Sequence, residues 1–140
     1  MSVYLDASVL VALFTDDPFT ERAYLALESV PALLFVSDLA AAEFSSTIAR
    51  QVRMKRVSTS DAHAAFSTFD EWTSRASQRV QMTGGDVTRA DAFLRRLDLP
   101  LRAPDAIHIA ISQRVADSLL TFDKRMAASA RSLGTRLAAG

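Results

Sequence analysis

Short apolar runs alternate with longer stretches of helical periodicity along the 140 residues of the chain. VYL (3–5), LLFV (33–36), VQM (80–82) and SLLTF (118–122) have the length and apolar content of buried strands. Alternation of such runs with helix-like segments predicts an α/β domain built on a mainly parallel sheet. Asp17-Pro18 supplies an N-cap and a first-turn proline, which predicts a helix over 18–28 with Pro31 beyond its end. Ser37 or Asp38 caps a second helix running to about Val52. Ser58-x-x-Asp61 has the form of a capping box, and Ala62, Ala65, Phe66, Phe69 and Trp72 then repeat at helical spacing as a buried or dimer-facing stripe. Trp72 in that stripe reads as core or interface rather than as a platform for bases. Thr83-Gly84-Gly85-Asp86 predicts a turn before a helix over 87–98, and it carries no phosphate-loop pattern. Pro104 opens a buried helix through AIHIAIS. There is no internal repeat, low-complexity tract or linker, so one domain over 1–140 is expected.

Composition narrows the chemistry. Hydrophobic residues make up 49% and charged residues 23%, an ordinary globular balance. With no Cys there is no disulfide, thiolate zinc site or cysteine nucleophile, so any metal takes oxygen or nitrogen ligands. No signal-type segment and no run of 18 apolar residues is present, which predicts a soluble, cytoplasmic protein with no membrane partner. The 16 basic and 16 acidic residues cancel, so attraction to nucleic acid must be local. RQVRMKR (50–56) is the strongest local patch, with Arg53, Lys55 and Arg56 as candidate substrate contacts; a solvated helix end explains it equally well.

Four acids stand out against this background. Asp6 interrupts YLDASVLVALF, where a lone charge costs several kcal/mol if it is buried without compensation. Asp6 and Asp123 each follow a strand run and would emerge at strand carboxyl ends, the edge where ligands bind in open α/β sheets. Asp105 follows Pro104 at a helix start, facing free N–H groups, and Glu43 lies about a turn and a half into the helix after LLFV. If they converge, each close pair repels by about 4 kcal/mol at 4 Å and an effective dielectric near 20. A divalent cation reverses that sign, and all-oxygen ligands favour Mg²⁺ or Mn²⁺. Taken one at a time, the same acids also read as caps, turn residues or surface charges.

YLDASVLVALF near the start, Glu43, APDAIHIA (103–110) and LLTFDKRM (119–126) together resemble the PIN domain family, and VapC-type toxins of toxin–antitoxin modules in particular. The likeness spans nearly the whole chain in the expected order. It implies a parallel sheet of order 3-2-1-4-5 with helices on both faces. It also implies an acidic metal site at Asp6, Glu43, Asp105 and Asp123 in a Mg²⁺- or Mn²⁺-dependent endoribonuclease. Such proteins are usually homodimers held inactive by a small antitoxin.

Catalysis on that reading is in-line attack by a metal-activated water on an RNA phosphate. Asp6 and Asp105 are then the principal ligands, with Glu43 and Asp123 completing the site. Ser8 and Thr121, two residues from Asp6 and Asp123, are candidates to hydrogen-bond the carboxylates, although Ser8 also reads as a helix cap. Arg102, Lys124 and Arg125 are candidate phosphate contacts or solvent-exposed charges. His108 lies one turn beyond Asp105, but acid-only metal chemistry leaves it a hydrogen-bonded packing role rather than that of a base. An aspartyl-nucleophile phosphatase would want a second Asp where Ser8 stands, and a receiver domain an early acidic pair; neither is present. A non-toxin RNA-processing nuclease and a non-catalytic binding module of the same fold are the remaining alternatives.

Overall fold

A computed structural model describes residues 1–29 and 32–139; Pro31 lies outside the described residues. Four parallel strands form its sheet: β1 (Ser2–Leu5), β2 (Leu33–Ser37), β3 (Gln78–Val80) and β4 (Ser118–Leu120), in the order β3-β2-β1-β4. Among the described residues seven helices connect and follow them: α1 (Ala7–Phe14), α2 (Thr20–Glu28), α3 (Asp38–Arg53), α4 (Thr59–Ala76), α5 (Gly84–Leu94), α6 (Ala103–Val115) and α7 (Lys124–Ser132). β1 is central, with Tyr4 opposite Phe35 on β2 and Leu119 on β4.

Among the described residues the fifth strand is not formed. Its place beside β4 is taken by the tail, which makes one parallel bridge, Leu119 to Leu137, through Leu119 N–H to Arg136 O (2.9 Å) and Ala138 N–H to Leu119 O (2.8 Å). Gly134, at φ 83°, allows the chain to turn there: Thr135 N–H returns to Ala130 O and Gly134 N–H to Arg131 O, closing α7 in a Schellman arrangement.

Alternation along β1 divides the core. Val3 and Leu5 join one apolar cluster with α1, α3 and α4 residues, while Tyr4 points to the other face among Ile109, Ile111, Leu119 and Met126. The stripe on α4 packs inward: Phe69 and Trp72 meet the Phe14 ring edge-on at 5.4 and 5.5 Å, and Phe66 meets Phe44. Intramolecular packing therefore explains Trp72.

Several boundaries differ from the periodicity, each for a local reason. The apolar run after Asp6 forms α1, and its cap is Asp6, which accepts Val9 N–H, rather than Ser8. Asp17-Pro18 forms a turn ahead of α2 rather than its first residues, since the Asp17 carboxylate takes Phe19 N–H at 2.9 Å. The third strand sits two residues earlier than VQM, over 78–80, and Met82 N–H goes to the Asp38 carboxylate instead. Gly84 and Gly85 lie inside α5, which starts there because Thr83 and Asp86 close a reciprocal capping box.

Asp86 also ties α5 to α6. Arg114 grips its carboxylate with two N–H bonds of 2.8 Å and reaches Gln81 O with a third of 2.9 Å. Burial alone would raise the Asp86 carboxyl, but the hydrogen bonds from Arg114 and Thr83 outweigh it and hold it below its ordinary range. A depressed carboxyl contributes stability above its unfolded pKa of about 3.9 and loses it as the pH falls through the folded value. Asp86→Ala should therefore lower unfolding free energy by about 2 kcal/mol at pH 7. In urea titrations the difference from the parent chain should shrink steadily below pH 4; a gap independent of pH would refute the electrostatic account.

Candidate active site

Asp6 directly follows the central strand and is 4% exposed. Three donors surround its carboxylate. Ser8 Oγ–H (2.6 Å) and Val9 N–H (3.3 Å) bond Oδ1, and Thr121 Oγ–H reaches Oδ2 at 2.5 Å from the segment after β4. Ser8 in turn accepts Phe122 N–H at 3.0 Å, and Thr121 accepts Asp123 N–H at 3.1 Å. Both hydroxyls thus bind Asp6 while fastening the β4 exit to it, and the helix cap is Asp6 itself rather than Ser8. Desolvation pushes the Asp6 carboxyl above its ordinary value, more strongly than Ser8, Thr121 and Val9 pull it down. Among the described residues no Lys or Arg pairs with it.

Glu43 projects from α3 with its side chain 36% exposed, and its Oε1 is hydrogen-bonded to Nε2 of His108. The His108 ring is buried on α6, one turn beyond Asp105, and its Nδ1 lies 2.6 Å from the Tyr4 hydroxyl. Tyr4 Oη lies 2.7 Å from Ser37 Oγ, which accepts Ala40 N–H at the start of α3. Burial pushes the Tyr4 phenol far above its usual range, so it is a protonated hydroxyl. A polar line therefore runs from the end of β2 across β1 to α6 and back to Glu43. Sequence reasoning missed this line, although a phenol in an apolar strand and an imidazole among isoleucines both require partners.

Asp105 and Asp123 are less buried than Asp6. The Asp105 side chain, 19% exposed, accepts Arg102 N–H at 3.3 Å and has the Arg102 guanidinium at 3.8 Å. Asp123 caps α7 by accepting Arg125 and Met126 N–H. Lys124 and Arg125 line a depression with Leu99, Pro100 and Ala128. Arg53, Lys55 and Arg56 are all exposed at the far end of α3. At 1.5 Å per residue, Arg53 stands about 15 Å along the helix from Glu43.

Among the described residues, no three His, Asp or Glu side chains stand close enough to hold a metal ion together. The donors nevertheless fit a hard cation in kind: they are carboxylates, one of them buried, raised in pKa and unpaired with any Lys or Arg. Mg²⁺ commonly takes one or two carboxylates and keeps several waters, which asks for no preformed cage.

The PIN domain family model matches residues 3–131, and the chain belongs to that family. Solved structures of VapC toxins share its fold. Mycobacterium tuberculosis VapC20, described as a sarcin-ricin loop cleaving toxin, aligns with TM-score 0.72 at 21% identity, over 91% of this chain and 95% of that one. VapBC2 from Rickettsia felis, bound to a DNA fragment from its promoter, gives 0.70 at 13% identity, covering 98% and 97%. FitAcB from Neisseria gonorrhoeae gives 0.72 at 13% identity, covering 92% and 93%. No curated relative matches the sequence. No helix among the described residues is long and apolar enough to cross a membrane.

A raised carboxyl favours the fold fully below its unfolded pKa, and that contribution is lost as the pH rises through the folded value. In EDTA, Asp6→Asn should melt no lower than the parent chain at pH 7, and its advantage should widen from pH 4 upward in thermal melts. A variant clearly less stable at neutral pH would show that the charge is well compensated without a cation.

Proposed function

We propose that this chain is a Mg²⁺- or Mn²⁺-dependent endoribonuclease toxin of a toxin–antitoxin module, acting in the cytoplasm as a homodimer and neutralised by a small cognate antitoxin. The single observation that carries the reading is the buried carboxylate of Asp6 at the carboxyl end of the central strand of a PIN fold. Glu43 and the α6 turn bearing Asp105 are linked to that strand through Tyr4 and His108. The shared fold of VapC20, by its description a sarcin-ricin loop cleaving toxin, and of VapBC2 and FitAcB supports it.

Asp6, Glu43, Asp105 and Asp123 would hold the cation, which when bound supplies Lewis-acid activation of water and neutralises charge on the phosphate. The chain's own residues do the rest. Ser8, Val9 and Thr121 fix both oxygens of Asp6, so its orientation costs no reorganisation when substrate arrives. Asp123 is held as the cap of α7, and Lys124 and Arg125, which follow it, would serve as phosphate contacts. Arg102, 3.8 Å from Asp105 and largely exposed, would meet the RNA backbone there. Arg53, Lys55 and Arg56 lie too far from Glu43 for the scissile phosphate and suit a flanking stretch of RNA.

Purified protein incubated with structured and unstructured RNAs should cleave with Mg²⁺ or Mn²⁺ and not in EDTA. Asp6→Asn and Glu43→Gln should each abolish or strongly impair cleavage while circular dichroism stays unchanged. Cleavage that survives EDTA, or none with either metal, would overturn the reading. Neutralising Arg53, Lys55 and Arg56 together should weaken RNA binding and flatten its logarithmic salt dependence by up to about three counterions. An unchanged slope would assign them to solvent.

A further inference from the structure

Two polar side chains at the centre of the fold, Tyr4 and His108, touch no substrate in the mechanism above, yet their hydrogen bonds end on one of its acids. The polarity of the line is set at its start. Among the described residues the buried Ser37 Oγ has two partners, and because one of them, Ala40 N–H, is itself a donor, the Ser37 proton is directed to the other, Tyr4 Oη. Tyr4 then donates to His108 Nδ1, and the imidazole proton sits on Nε2, aimed at Glu43 Oε1. In this direction every donor meets an acceptor. An Nδ1–H ring would set the bare Nε2 lone pair against a carboxylate oxygen and, with Tyr4 then donating to Ser37 Oγ, leave the buried Ser37 proton without an acceptor among the described residues. A doubly protonated ring meets the same conflict at Ser37.

We propose that His108 is a positioning residue: Tyr4 locks its ring as the Nε2–H form, and that N–H holds Oε1 of Glu43, leaving Oε2 as the oxygen available to the acidic site. The proposal rests on Glu43 being one of the acids that hold the cation. Glutamate reaches the site on a flexible side chain from a half-exposed helix face, so a fixed donor behind it decides where its carboxylate sits. Histidine suits the task because both ring nitrogens are engaged: one reads the buried hydroxyl pair, the other presents the result to Glu43. Partners of this kind behind metal-binding groups shift affinity or activity by about 10–100-fold when removed.

The clamp can be tested apart from activity. In metal-free, ¹⁵N-labelled full-length protein, long-range ¹H–¹⁵N correlations should show His108 protonated at Nε2 and bare at Nδ1, with the exposed His63 ring as internal reference. The Nε2 proton should resonate far downfield, move upfield in Glu43→Ala, and exchange faster with solvent in Tyr4→Phe. Protonation at Nδ1 in the parent chain, or a proton that ignores Glu43→Ala, overturns the proposal whether or not the protein cleaves RNA. Absence of cleavage with an intact Nε2–H signature would instead remove the ribonuclease reading and leave the clamp standing. In cleavage assays His108→Phe should lower kcat by about 10–100-fold with little change in KM, and His108→Gln, which keeps a donor, should recover much of the loss. Equal kcat in a folded His108→Phe and the parent overturns the positioning role. If His108→Phe fails to fold, Tyr4→Phe, which lacks only one hydroxyl, carries the same comparison.

Discussion

Burial of the Asp6 carboxylate at the end of the central strand is the constraint around which the rest of this molecule is arranged. A charge so enclosed costs several kcal/mol unless it is hydrogen-bonded or neutralised. Here the donors come from two directions: the first turn of α1 supplies Ser8 and Val9, and the exit of β4 supplies Thr121. The pairing of β1 with β4 is therefore both a sheet ladder and the means of completing that carboxylate's environment. Even so its pKa stays raised, so the fold leaves the charge incompletely compensated. Tolerating such a group is intelligible if function needs an ionised oxygen at that point more than stability needs an apolar one.

The two-residue period of β1 turns one strand into two kinds of support. Val3 and Leu5 fill the apolar layer under α1 and α3, where Phe14, Phe44, Phe66, Phe69 and Trp72 interlock edge to face. Tyr4, on the other face, opens a polar line through the second layer toward His108 and Glu43. Placing a phenol there is permissible only because both of its hydrogen-bond partners are buried with it. The aromatic layer keeps α1 and α3 rigid, and rigid helices are what allow the capped Asp6 and the clamped Glu43 to keep fixed positions relative to one another.

Charge is distributed to match. With no net field, the molecule carries its charge in local groups: Arg102 near Asp105, Lys124 and Arg125 at the start of α7, and a separate basic end on α3. Arg114 is used differently, bound to Asp86 to join α5 and α6, and its charge is spent inside the fold. A family fold retained at 13–21% identity to toxin structures shows how few positions the architecture itself needs. The remaining surface is open to variation in target and partner.

Much of the architecture was legible because it is local. Strand runs, the Ser37 and Ser58 caps and the Pro104 helix start depend on neighbours within a few residues, and apolar periodicity reports which face is buried. The four acids were visible too, because a carboxylate in apolar surroundings or at a strand end is conspicuous in one dimension. Locally ambiguous stretches were misjudged where a single side-chain bond tipped the balance: Asp6 rather than Ser8 capping α1, Asp17 closing a turn, and Asp86 drawing two glycines into α5; the fifth strand implied by the family resemblance gives way to one bridge where Gly134 returns the tail. Only the tertiary structure decided that Thr121 serves Asp6 across 115 residues and that Glu43 meets His108 across 65. Those pairings arise where strands and helices from distant parts of the chain come to the same sheet edge, and the identity of a residue carries no information about which distant backbone will lie opposite it.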